Sequence, residues 1–151
     1  MKVFYIFFVL LYSSQLIAGD LNRVNPHPSL TPKEVVQIVM SALKNNDQPT
    51  NNSGVTTTFN FASPANKQNT GPLKRFNSMI RGQTYGPMIN HKGATFEKYK
   101  VTNNKASIDV IIISSAGKTY GYRFGLSRQN GNKFEGSWMT DTVIPIKVTT
   151  L

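Results

Sequence analysis

Between Thr31 and Ile80 apolar residues recur at spacings of three and four, and from Ala94 onward at spacings of two, so the chain divides into a helical half and a stranded half. "TPKE" places Thr31 at a helix N-cap, Pro32 at the first helical position and Glu34 where a capping box needs it. Helix one is therefore predicted over about 32–45. Val35, Ile38, Val39, Ala42 and Leu43 form its buried stripe, which Val36 and Met40 widen. "NNDQPTNNSG" ends it. "VTTTFNF" (55–61) has strand composition but sits between two helical segments, and its period decides neither way. After "SPANKQNTGP", the segment 72–80 puts Leu73, Phe76, Met79 and Ile80 on one face of a short helix, and "RGQTYGPMINH" leads out through a turn.

The second half reads as four strands, "ATFEKYKVT", "ASIDVIII", "KTYGYRFGLS" and "KFEGSWMTD", separated by "NN", "SSAG" and "QNG". Asn130-Gly131 is a strong hairpin signal, because a type I′ turn needs two positive φ angles. Helices first and an antiparallel meander after predict an α+β domain, its N-terminal helices packed on one face of a curved four-stranded sheet.

Ahead of this domain, Met1-Lys2 and the apolar stretch "VFYIFFVLLYSSQLIA" read as a secretory signal peptide over residues 1–19, cut after Ala18 or Gly19. The uninterrupted apolar run, Val3 to Leu11, falls short of the roughly 20 residues a membrane span needs. Residues 20–30, "DLNRVNPHPSL", form an extended lead-in and 31–151 one domain. The expected location is secreted or periplasmic, with no transmembrane segment in the mature chain. No cysteine is present, which excludes disulfides, thiolate metal sites and thiol catalysis.

The net charge of +10 calls for acidic partners, but the basic residues are scattered and make no recognisable nucleic-acid module. A solvated basic surface is the plainer account, and export argues the same way against nucleic acid. Catalytic signatures are absent: His27 and His91 make no HxH or HxxxH pair, so no metal or cofactor is expected. The acids stand singly, Ser114-Ser115 lacks a GxSxG frame, and "GKT" at 117–119 lacks the upstream glycine of a phosphate loop.

Helix, "NND.P", "FASPANK..TGPL.RF..MI", "Y..MINH" and then hairpins together resemble an uncharacterised domain-of-unknown-function family of the nuclear transport factor two-like (SnoaL-like, cystatin-like) superfamily. The resemblance covers roughly residues 31–142. It implies a cystatin-like α+β cone with a cavity at its mouth, and it tips 55–61 towards a short helix. It implies no activity, because that superfamily holds isomerases, dehydratases, hydrolases and plain binding domains.

Three candidate sites follow. In the 61–80 corner, Ser63 and Thr70 are placed to satisfy free backbone groups, and Lys74 with Arg75 could help free helix amides hold an anion. With Asn130-Gly131 as a two-residue turn, Gln129 faces Asn132, Arg123 lies opposite Trp138, and Gly125 opposite Gly136. Arg123 over Trp138 would then floor a pocket for a small anionic, partly apolar ligand; the plainer alternative pairs Arg123 with an internal acid and puts Trp138 in the core. On the other face, Tyr120, Tyr122, Phe124 and Leu126 are either covered by chain or form a homodimer interface. The functional expectation is a non-catalytic binding module for such a ligand or for an envelope or protein partner. The alternative is a cone-pocket enzyme of isomerase, dehydratase or hydrolase type that uses Asp109 with His91 or Tyr85.

Overall fold

The computed structural model describes residues 25–148. Four helices, α1 (Pro32–Lys44), α2 (Ser53–Asn60), α3 (Pro64–Thr70) and α4 (Leu73–Ile80), precede a short 3-10 turn at Gly86–Met88. Four strands follow, β1 (Gly93–Thr102), β2 (Lys105–Ile113), β3 (Thr119–Arg128) and β4 (Trp138–Ile146). They pair antiparallel in the order β1-β2-β3-β4, an open meander sheet with helices on one face. The chain is therefore α+β, as its two periods require. The predicted signal peptide, with residues 20–24 of the lead-in, lies outside the described residues.

Local chemistry sets the helix ends. The Thr31 hydroxyl accepts from the Glu34 amide while the Glu34 carboxylate accepts from the Thr31 amide at 2.7 Å, a complete capping box. Segment 55–61 lies largely in helix α2, and α2 presses on the end of α1, where a Cβ on Gly54 would stand 2.1 Å from the Ala42 carbonyl oxygen. The stretch taken above as punctuation, "PANKQNT", is itself helix α3, capped by Ser63, whose hydroxyl accepts from the Asn66 amide. Proline at the first position and a Ser cap outweigh its poor helix propensity over two turns.

The core lies between α1 and the sheet. Val35, Val36, Val39 and Leu43 of α1 meet Ile108, Val110 and Ile112 of β2 and Tyr122, Phe124 and Leu126 of β3, all essentially inaccessible to water. At roughly 1.5–3 kcal/mol for each large apolar side chain buried, this layer is the main stabilising term. It also corrects the expected homodimer face. Tyr122 and Phe124 are core residues covered by the protein's own helices, and Tyr120 packs at their edge, so that stripe offers no free surface for a second copy.

The β3–β4 connection departs from the hairpin expectation. Gly131 has the positive φ of 74° that its sequence signals, yet residues 129–137 form a longer compact loop. The Glu135 carboxylate accepts from the Gly131 amide and the Asn132 side chain accepts from the Phe134 amide. Gln129 consequently pairs through its backbone with Gly136 and Ser137, and Asn132 meets it only through its side-chain amide, which donates to the Gln129 side-chain oxygen. Strand β4 starts at Trp138 and runs to Ile146, which moves the register: Arg123 faces Ile144, Gly125 faces Thr142, and Trp138 faces Arg128. Bulges interrupt β1 between Glu97 and Lys100 and the β3–β4 pair at Gly125/Leu126, the devices that bend a sheet around helices.

Candidate functional site

Beside α1 the layers do not close completely. A cavity of about 270 Å³ opens between α1, α3, α4 and strand β4. Val39 and Leu43 of α1, Phe76 and Ile80 of α4, Met88 and Phe124 line it together with Val143. Helix periodicity turns Phe76 and Ile80, four residues apart, towards it, and α4 is held in place because Gly71-Pro72 starts it abruptly after α3. Polar groups at the rim are mostly committed. The Asn66 amide donates to the Thr140 carbonyl at 3.1 Å, Thr70 donates to the Asn66 carbonyl at 2.9 Å, and the Tyr85 hydroxyl donates to the Val143 carbonyl at 3.0 Å. Asn69 lines the rim, and its side chain makes no hydrogen bond to another described residue. The acid among the lining residues, Asp141, is paired with Lys105 at 3.4 Å, and Lys105 is so exposed that the pair is weak. The cavity can therefore hold an apolar body, but it presents no acid–base pair.

A wider, open recess lies at the other end of β3, lined by Gln83, Thr84, Tyr120 and Gly121 with Pro145 and Ile146. The Tyr122 hydroxyl donates to the Thr84 carbonyl at 2.9 Å there, and burial, assisted by Tyr120 and Tyr85, pushes its pKa up to about 12. It stays protonated and structural.

The residues singled out from sequence are dispersed. Arg123 and Trp138 do not meet: Trp138 is in the core, while Arg123 is on the uncovered face of the sheet. There Arg123 makes a two-bond clamp on Asp109, Nε to Oδ1 at 2.6 Å and an Nη to Oδ2 at 2.8 Å. The hydrogen bond from Arg123 holds the Asp109 carboxyl below the usual carboxylate range against the opposing effect of burial, and the same bond raises Arg123. Asp109 is shut off from water beneath the guanidinium on the uncovered face of the sheet, with Lys98 as a second cation nearby. Gly121 and Gly125 do permit close approach, because a Cβ at either would meet Ile146 or Thr142 of β4 within 3 Å.

His91 is buried, with Nδ1 at 2.8 Å from the Met88 carbonyl; burial lowers its pKa, partly offset by that hydrogen bond. Tyr85 alone of the proposed catalytic trio reaches the cavity, and its hydroxyl is committed to Val143. Asp109, His91 and Tyr85 thus share no site. Lys74 and Arg75 are exposed on α4, while the corner's Ser63 and Thr70 both satisfy backbone groups. Among the described residues no three His, Asp or Glu side chains gather as a metal site would require. The sequence resemblance implied a cavity, but its place and lining were not legible because they depend on how α3, α4 and β4 meet. The signal for β4 was present in "TDTVIPI", whose β-branched residues and edge-compatible Pro145 mark a strand running to 146.

A helix-covered meander sheet beside a largely apolar cavity, with Tyr85 and Asp141 among its lining residues, defines a small α+β domain. The chain belongs to the family described as Domain of unknown function (DUF4864), which it matches over residues 28–149. No curated protein matches it.

Proposed function

We propose that this domain is a non-catalytic binding module that holds a small, uncharged, largely apolar molecule in the cavity between α1, α4 and β4. The observation that carries the reading is the cavity's lining: Val39, Leu43, Phe76, Ile80, Met88 and Val143 around about 270 Å³, with its polar side chains committed to backbone groups or at the rim. An apolar cavity of about 150 Å³ already takes benzene, so this one has room for a two-ring or short-chain molecule. The anionic ligand expected from Arg123 has no place in it, since the charge along the lining is that of Asp141. Asn69 at the rim would accept or donate one orienting hydrogen bond.

N-phenyl-1-naphthylamine, an uncharged probe that fluoresces in apolar surroundings, should bind the protein at one saturable site. Met79→Trp, which places a large ring at the half-exposed mouth, should weaken that binding at least tenfold with the thermal midpoint kept. No saturable signal in the wild type, or equal binding by Met79→Trp, would defeat the reading. We further read the fold as a nuclear transport factor two-like cone, supported by helices leading a bulged meander sheet, and the site of action as outside the cytoplasm, supported by the signal-like residues 1–19.

A further inference from the structure

Residues 48–96 contain no Asp or Glu but carry Lys67, Lys74, Arg75, Arg81 and Lys92. This stretch is α2, α3, α4, the 3-10 turn and the start of β1, so these elements carry positive charge alone, with Asp47 and Asp141 the acids at their margins. None of these five cations is ion-paired: among the described residues the ion pairs are Lys105–Asp141 and Arg123–Asp109. Helix α4 leads the surface. Lys74 and Arg75 are exposed on it, and Arg81 follows at its end, held by hydrogen bonds to Asn77 and Asn52. At the edges of the helix's Phe76/Ile80 face, beside these cations, Leu73 and Met79 each keep 37% of their surface in water. Lys67 and Lys133 extend the patch across Phe134, each about 5 Å from its ring centre, and neither has a carboxylate partner.

We propose that this α4 face docks the protein on an anionic lipid surface. Unpaired cations draw it to negative headgroups, and the two half-exposed apolar side chains flanking them can enter the boundary between headgroups and acyl chains. A polysaccharide or nucleic acid would satisfy the charges but would leave Leu73 and Met79 in water. The attachment is peripheral and reversible: no helix of the described residues is long and apolar enough to cross a membrane. It stands on surface charge and does not require the cavity to hold a ligand, although Met79 belongs to both and would set the cavity mouth against the lipid.

The test is sedimentation of the processed, exported chain with vesicles of phosphatidylcholine alone or mixed with phosphatidylglycerol. The protein should pellet with the mixed vesicles only, and less so as salt is raised. The double variant Lys74→Glu/Arg75→Glu should lose at least twentyfold in partitioning, since each cation at such a surface is worth roughly fivefold. Leu73→Ser should weaken binding while keeping its salt dependence, and Lys74→Gln/Arg75→Gln serves if charge reversal disturbs the fold. Equal pelleting with both vesicles, an unaffected charge variant, or retention on a sulfated polysaccharide without vesicle binding would each overturn the proposal. Naphthylamine binding without vesicle binding would sink this inference alone.

Discussion

Asp109 lies on the uncovered side of the sheet and is nevertheless closed off from water, with Arg123 gripping both of its oxygens. Its depressed pKa means that the folded state prefers the charged carboxylate. The resulting stability is complete above the ordinary value of about 4 and is lost as pH falls through the lower folded value. Asp109→Asn should therefore lower the thermal midpoint at pH 7, and the gap to wild type should narrow at a pH below about 4. Arg123→Met, which leaves the shielded carboxylate without its partner, should lower the midpoint further at pH 7. A gap unchanged between the two pH values would refute the ion-pair account. His91 also favours folding in its neutral form, but its loss sets in below about 6.5 and affects wild type and variant alike. The sequence left open that Arg123 pairs with an internal acid. Which acid follows from β2–β3 register: residues 114–118 form the connection, Ile113 faces Thr119 and Asp109 falls opposite Arg123, whereas a four-residue "SSAG" turn would have set Asp109 opposite Tyr122.

At the scale of elements, α1 was readable nearly to the residue, because a capping box and a broad apolar stripe agree. Helix α2 was not, since its threonines favour strands and only contact with α1 decides the matter. Gly54 is the hinge of that contact: its amide donates to the Asn46 carbonyl at 2.9 Å, and the buried Asn46 side chain accepts from the Val55 amide at 3.1 Å. Gly54→Ala would drive a methyl into the Ala42 carbonyl, so it should cost at the upper end of the roughly 1–3 kcal/mol typical of overpacking. Urea unfolding monitored by Trp138 fluorescence measures this. A loss below about 0.5 kcal/mol would show that α1 and α2 adjust freely. Strand β4 was legible in its composition but not its start, because Phe134, pinned near Lys67, and the Glu135–Gly131 bond build a loop where local propensity favours a tight turn.

For the whole molecule, the export reading has a direct consequence. Because residues 3–11 are too short an apolar run to span a bilayer, intact-mass measurement on exported protein should find a chain beginning near Gly19 or Asp20. Retention of Met1 would refute it. The same scale explains why the tyrosine and phenylalanine stripe is no dimer face. Among the described residues, the helices that precede the sheet pack on one side of it, the side that Tyr122 and Phe124 occupy.

Sequence by itself determined the α+β class, the capped first helix, the order of four antiparallel strands and the alternation that separates Ile108, Val110 and Ile112 from Asp109 and Ile111. These follow from periodicity and capping, which act over a few residues. Tertiary structure decided the α2 conformation, the β3–β4 register, the Asp109–Arg123 clamp and the cavity beneath α4. Each depends on groups far apart in the chain meeting across a packed layer. A one-residue change of register or a single loop anchored by Phe134 changes which side chains share a face, and local pattern carries no record of that.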